Sequence, residues 1–263
     1  MFEKLTGGAN FHRPGRSTLW LWVLFQSALP ARAEPAWQKL AAGVDYKVSW
    51  VNAKEAQSVH LLRWDPAQAR LRHLTTSKPK TSRQFLQAHP KSLAVFNGGY
   101  FDPKGRPLGL LYDGQWVQRQ VATGSAFGGL LRVADDVPSL WPVLQVSDRV
   151  YESLLEEGGL SLLLQCGPRL IADGQCVAGL EKGYRRRTAI AADPQGRLIL
   201  LASAPHYLMS FADLQNYLKN QLKVSLALNL DGGSSTQSSV RGQPGGENPG
   251  YSPLPFALGL FSR

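Results

Sequence analysis

The stretch "RTAIAADPQGRLILLAS", residues 187 to 203, leaves little freedom in what it can form. Two apolar runs rich in β-branched and aliphatic residues flank "DPQG", a composition that suits a type I turn, so the segment predicts a β-hairpin. The same grammar recurs along the chain. "VDYKVSWV" and "SVHLLRWDPAQARLRHLTT" are short alternating runs broken at Asp65-Pro66, and "LGLLYDGQWVQ" turns at Tyr112-Asp113-Gly114. "AFGGLLRVADDVPSLWPVL" is apolar with polar interruptions, and "YSPLPFALGLFSR" returns a last strand to a sheet. Three segments read as helices: "TSRQFLQAHP", capped by Thr81 or Ser82 and stopped by Pro90; "SDRVYESLLEEGG", from Ser147 to Gly158; and "SFADLQNYLKNQL". In the last, Ser210 and Asp213 form a capping-box pattern, and Phe211, Leu214, Leu218 and Leu222 line one face. Many strands and few helices predict one α+β domain, strand-rich, with the helices packed on a mixed sheet.

Residues 1–33 follow a different rule. A basic stretch with Lys4, Arg13 and Arg16 precedes "TLWLWVLFQSAL", and Ala31 and Ala33 supply an A-x-A cleavage pattern. This predicts a signal peptide over 1–33 and a mature domain over 34–263, in the periplasm or secreted. The alternative is an uncleaved anchor, although the apolar run is short for a span and ends at Pro30 and Arg32. The chain carries 29 Lys and Arg against 19 Asp and Glu, a net +10; residues 1–33 hold four and one of these, which leaves 25 against 18, or +7. Such an excess favours anionic partners. Outside "YRRRT" the basic residues are scattered, with no aromatic-basic motif of the kind that binds nucleic acid. Cys166 and Cys176 bracket "GPRLIADGQ", where Asp173-Gly174 marks a turn. Two strands folded back there would bring the thiols into a disulfide in an oxidising compartment, the alternative being two reduced thiols.

Two strand ends share a design: "VFNGGYFD" at 95–102 and "LNLDGGSST" at 228–236. Each closes an apolar run with a carboxamide or carboxylate and then Gly-Gly, a combination that places a polar side chain beside accessible backbone N–H groups and makes an anion-binding nest. With "YRRRTAIAAD" they read as walls of one cleft. Asp231 is the candidate nucleophile or general base, the alternative being a turn cap. Arg187 is the candidate phosphate clamp, because guanidinium engages two oxygens in a fixed fork and an apolar strand begins just after it; the alternative is a solvated run with Arg185 and Arg186. Ser234, Ser235 and backbone N–H groups would complete the pocket. Asp102 is either a second acid or a turn residue, and Tyr100 and Phe101 either stack on a sugar or belong to the core. His206 is read as structural or solvated. Asp102, Asp193 and Asp231 offer oxygen ligands to a hard cation, without a dense ligand loop, so no cofactor is assigned.

With "NGGYFD", "GLLYDG", "CGPRLIADG", "RRRTAIAADPQGRLILL", "SFADLQNYL", "LALNLDGGSSTQ" and "ALGLF" in this order over residues 91–261, the sequence resembles the phosphodiester glycosidase family. The resemblance implies a secreted or lumenal α+β hydrolase that breaks the bond between a sugar's anomeric carbon and phosphate. It places the family's polar residues on Asn97, Gly98, Gly99, Asp102, Arg187, Thr188, Asn229, Asp231, Gly232, Gly233 and Ser234. "SAPHYLMSFADL" departs from the family pattern before the helix, where His206 stands. The implied partner is a glycosyl phosphodiester or another anionic glycan. A non-catalytic glycan-binding module and a phosphodiesterase that breaks the P–O bond are the two rival readings.

Overall fold

The computed structural model describes residues 34–52, 57–142 and 159–263. The proposed signal peptide and the expected helix from Ser147 to Gly158 lie outside the described residues. Within them, eighteen strands form three sheets. The first sheet runs β1 (Gln38–Ala41), β2 (Val44–Asn52), β3 (Gln57–Trp64), β14 (Leu198–Ser203), β13 (Thr188–Ala192), β15 (Leu226–Asn229), β11 (Arg169–Ala172) and β12 (Gln175–Cys176). The second runs β17 (Glu247–Asn248), β16 (Ser238–Val240), β5 (Ser92–Asn97), β18 (Leu254–Ser262) and β4 (Ala69–Lys80). The third runs β7 (Trp116–Gln118), β6 (Leu111–Tyr112), β10 (Leu160–Cys166), β8 (Gly129–Ala134) and β9 (Val137–Pro142). The helices are α1 (Ser82–Ala88) and α2 (Phe211–Asn216).

The hairpin that opened the sequence reading forms as expected. Thr188 pairs with Ala202 and Ala192 with Leu198, and the Gly196 N–H closes on the Asp193 carbonyl at 3.0 Å. Alternation then decides what each face meets. Leu198, Leu200 and Ala202 enter a central core shared by all three sheets, whereas Ile199 and Leu201 enter a second core roofed by Phe211, Leu214, Tyr217 and Leu218 of the α2 segment. The small side chains Ala189, Ala191 and Ala227 on that second face leave room for the helix. Ser210 caps α2 through a reciprocal bond with Asp213, at 3.1 Å and 3.0 Å. α1, capped by Thr81, seats Phe85 and Leu86 on the outer face of the second sheet against Leu74, Val95 and Leu254.

Two expectations are corrected. The sheet is not mixed: among the described residues the ladders are antiparallel in all three sheets, and the fold there is mostly β with two short helices. The cause is connectivity, since hairpins and returning strands replace the helical crossovers that parallel pairing requires. The cysteines are not joined: Cys166 is buried and free, and Cys176 is exposed and free. The Asp173-Gly174 turn does fold the chain back, but it pairs Cys176 with Ile171 within the first sheet. Cys166 belongs to the third sheet, where it pairs with Gly129, and the chain changes sheets at Gly167-Pro168. We expect a thiol reagent to titrate one cysteine rapidly in the native protein and two in denaturant. Excess reductant should shift Tm by less than about 1 °C, because no loop is closed; a native protein with no titratable thiol would contradict this arrangement.

Candidate active site

Four strand ends from the three sheets meet at one place, because β5 ends in Asn97, β10 in Cys166, β15 in Asn229, and β13 begins at Thr188. The junction is stitched by buried polar groups. Asn97 donates through Nδ2 to the Asp231 carbonyl at 2.7 Å, while its Oδ1 accepts from the Thr188 hydroxyl at 2.8 Å and from the Gln237 N–H at 3.1 Å. The Asp231 N–H donates to the Gly98 carbonyl at 3.0 Å. Asn229 Nδ2 donates to the Gly167 carbonyl at 2.9 Å and to the Tyr100 hydroxyl at 3.0 Å, and that hydroxyl donates in turn to Gly167 at 2.6 Å. These bonds span 62 to 140 residues of sequence and fix the direction in which the chain leaves β15. Buried amide networks of this kind hold one geometry, since each broken bond strands a desolvated partner.

The turn that follows needs its glycines. A Cβ on Gly232 would lie 2.8 Å from the Arg186 carbonyl oxygen, a backbone atom that cannot yield, and Gly233 sits at φ +60°. Three of the N–H groups expected to form the anion nest are engaged within the chain: the Gly232 N–H on Asp231 Oδ1 at 2.9 Å, the Gly233 N–H on the Arg186 carbonyl at 2.8 Å, and the Ser235 N–H on the Gly232 carbonyl at 3.2 Å.

Beside this turn lies a cavity of about 430 Å³ into which Asp231, Gly232, Gly233, Ser234, Asn229 and Arg187 all face. Burial raises the Asp231 carboxyl to about 6, against weaker opposing hydrogen bonds from Ser235 and the Gly232 N–H. Arg187 is buried, its Nε donating to the Met209 carbonyl at 3.0 Å and Nη2 to the Gly183 carbonyl at 2.6 Å. Its guanidinium carbon lies 3.7 Å from the centre of the Phe211 ring. Among the described residues no carboxylate comes within ion-pairing distance of it. A held, desolvated cation on a cavity wall, with Glu181 acting on it at a distance but not paired to it, is a site that an anion can engage.

The triple-arginine run is resolved by backbone alternation. Arg185 and Arg187 both line the cavity, Arg185 at the rim in an ion pair with Glu181 at 3.3 Å. Arg186 turns the other way, donating to the Pro249 carbonyl at 2.9 Å and to Asn248 Oδ1 at 2.8 Å. Asn97, Gly98, Gly99, Thr188 and Ser235 form the frame behind the cavity rather than its wall. Asp102 does not face the cavity: it receives the N–H groups of Lys104 and Arg106 and pairs with the Arg106 guanidinium at 2.6 Å, and these bonds hold its carboxyl below the ordinary range. Asp193 is likewise committed to its own hairpin turn, pairing with Arg197 at 2.8 Å. Among the described residues no three His, Cys, Asp or Glu side chains gather as a metal site.

Glu181, which no sequence expectation named, and Arg185, expected only as part of a solvated run, also stand on the wall, paired at a spacing of four. Phe211, expected only on a helix face, backs Arg187 with its ring. Tyr100, weighed between sugar stacking and core, lines the cavity and anchors Asn229 and Gly167.

Known proteins can be set beside this geometry. A structure from Synechocystis titled a hypothetical protein aligns over 87% of this chain with TM-score 0.58 and 18% identity; this chain spans 64% of that protein's length. The catalytic domain of zebrafish N-acetylglucosamine-1-phosphodiester alpha-N-acetylglucosaminidase, in a form auto-inhibited by its pro-peptide, aligns over 88% of this chain and 87% of its own, with TM-score 0.66 and 18% identity. At such identities these two likenesses speak for the fold. No curated protein matches the sequence. The family model for phosphodiester glycosidases matches residues 91–261, which contain β5, the arginine run, α2, the Asp231 turn and all but the last residue of β18. The chain therefore belongs to the phosphodiester glycosidase family.

Proposed function

We propose that this protein hydrolyses the bond between a sugar's anomeric carbon and phosphate in a glycosyl phosphodiester. The observation that carries the reading is one cavity holding both the Asp231 carboxyl and the unpaired Arg187 guanidinium. Ordinary glycosides need an acid to protonate the leaving alkoxide. A phosphate monoester leaves without that help, because its second ionisation lies near about 6. One carboxylate and a phosphate clamp then suffice. Arg187 holds the phosphate oxygens and Asp231 faces the anomeric carbon as it becomes cation-like. The C–O bond breaks with its electron pair staying on phosphate, and a water oxygen forms the new bond to carbon. The water's proton passes to solvent or to the phosphate, giving free sugar and a phosphate monoester.

The basic mature chain and the signal-like segment 1–33 support action in the periplasm or outside the cell, on an anionic envelope or extracellular glycan. Among the described residues no helix is long and apolar enough to cross a membrane. The zebrafish relative's name supplies the first substrate to try, the methyl ester of N-acetylglucosamine 1-phosphate. Free sugar and methyl phosphate should appear in equal amounts. Because the ionised carboxylate is the active form, kcat/KM should rise with pH through about 6 and then level off. Tight binding of the ester without turnover would instead favour a glycan-binding module.

A further inference from the structure

A second cavity of about 410 Å³ adjoins the first and shares Arg185 and Gly233 with it; its other walls include Pro205, His206, Leu208 and Tyr251. Leu208 is 52% exposed and Tyr251 66%, two of six large apolar side chains left open among the described residues. Their neighbourhood is otherwise ordered. The Tyr251 hydroxyl donates to the Pro205 carbonyl at 3.0 Å, and its N–H to the Ser234 carbonyl at 2.8 Å. Arg186, bonded to the Pro249 carbonyl, lies behind the ring with its guanidinium carbon 5.3 Å from the ring centre. The ring is thus a fixed platform that costs little ordering when something stacks on it. Exposed, immobilised apolar surface continuous with a polar cavity marks a place where a ligand extends.

We propose that this second cavity is the leaving-group subsite, and that it selects phosphodiesters whose leaving alcohol carries a ring with a flat apolar face, stacked on Tyr251 between Leu208 and Pro205. The inference rests on the glycosidase reading. A phosphate held between Arg187 and the Gly233 turn has one ester oxygen for each cavity. An acyclic polyol would place hydroxyls against Leu208 and Pro205 with few partners, and so lose hydration without return. A pyranose and a nucleoside both present the required face to an aromatic ring.

Four esters of N-acetylglucosamine 1-phosphate test this: with methanol, with glycerol, with the 6-hydroxyl of a methyl hexopyranoside, and with the 5′-hydroxyl of uridine. The wild type should prefer at least one ring ester over methyl and glyceryl by about tenfold or more in kcat/KM, and the larger ratio names the ring. Tyr251→Ala should erase that preference while the methyl ester stays within about twofold of wild type. Tyr251→Phe should keep the preference, and Leu208→Ser, also exposed, should weaken it. Equal wild-type rates on all four esters, or an equal loss on all four in Tyr251→Ala, would overturn the proposal. If no ester is hydrolysed the glycosidase reading fails, and calorimetric binding of the same four esters decides the subsite. Ring esters bound about tenfold tighter, with the advantage lost in Tyr251→Ala, support it; equal binding overturns it.

Discussion

Asp231→Asn should lower kcat on a glycosyl phosphodiester by about a thousandfold or more, some 4 kcal/mol of barrier, while the protein becomes more stable at neutral pH. Both effects have one cause. The carboxyl is held in a partly desolvated place where its charge serves the reaction and is unfavourable at rest. An ordinary aspartate ionises at 3.8, whereas the folded one holds its proton up to about 6. Between those values the native state retains a proton that the unfolded state has lost, so stability falls as pH rises. Above about 6 both states are ionised and the cost is constant. Roughly two units correspond to about 3 kcal/mol, nearer about 2 once solvent in the open cavity screens the charge. Asparagine keeps the acceptor for the Gly232 N–H and carries no charge. Thermal denaturation at pH 7.5 should therefore show the variant melting several degrees above wild type, about 2–4 °C per kcal/mol for a domain of this size. The difference should vanish below about pH 3, where both states of the wild type are protonated. Equal melting at pH 7.5 would mean that Asp231 is not desolvated.

Arg187→Lys should be nearly as damaging to turnover, with kcat/KM falling by about a hundredfold or more. The lysine keeps the charge, so long-range attraction for the phosphate is retained, but an ammonium on a flexible stem has no planar fork. It cannot satisfy both the Gly183 and Met209 carbonyls, lie flat on Phe211, and still offer donors to phosphate. Inhibition by the phosphate monoester product should weaken in parallel, which separates a lost phosphate contact from a general disturbance. Arg186→Lys is the instructive neighbour. Its partners are Pro249, Ser203 and Asn248, and it does not line the cavity that holds Asp231, so its cost should appear in stability before it appears in phosphate inhibition.

The difference between those two arginines shows where sequence reading stops. The hairpin from Thr188 to Ser203, the capping boxes at Thr81 and Ser210, and the abrupt end of β15 at Asn229 are set by neighbours a few residues away, and all are readable as local pattern. That Arg187 rather than Arg186 faces the cavity depends on strand register against β14, which a run of three identical residues cannot announce. The polar frame was legible only as residue types. Asn97 was legible as the carboxamide that closes an apolar strand and Thr188 only through the family resemblance, but their bonds reach across 48 to 140 residues. The cysteines failed for the same reason. A local turn at Asp173-Gly174 was read correctly, while the change of sheet at Gly167, a long-range fact, sends Cys166 elsewhere. The loop that carries Glu181 and Arg185 has no periodic pattern, so its place on the cavity wall had no local signature beyond an ion-pair spacing.

Breaking the C–O bond and breaking the sugar-side P–O bond give the same two products, so product analysis alone leaves the central claim open. Hydrolysis of the methyl ester of N-acetylglucosamine 1-phosphate in ¹⁸O-labelled water distinguishes them by mass spectrometry. With Arg187 on phosphate and Asp231 at the anomeric carbon, solvent oxygen must enter the sugar at its anomeric hydroxyl and leave methyl phosphate unlabelled; because a free sugar slowly exchanges that oxygen, early time points and the phosphate product carry the decision. Unlabelled methyl phosphate is the result the arrangement requires, and label in methyl phosphate would contradict it.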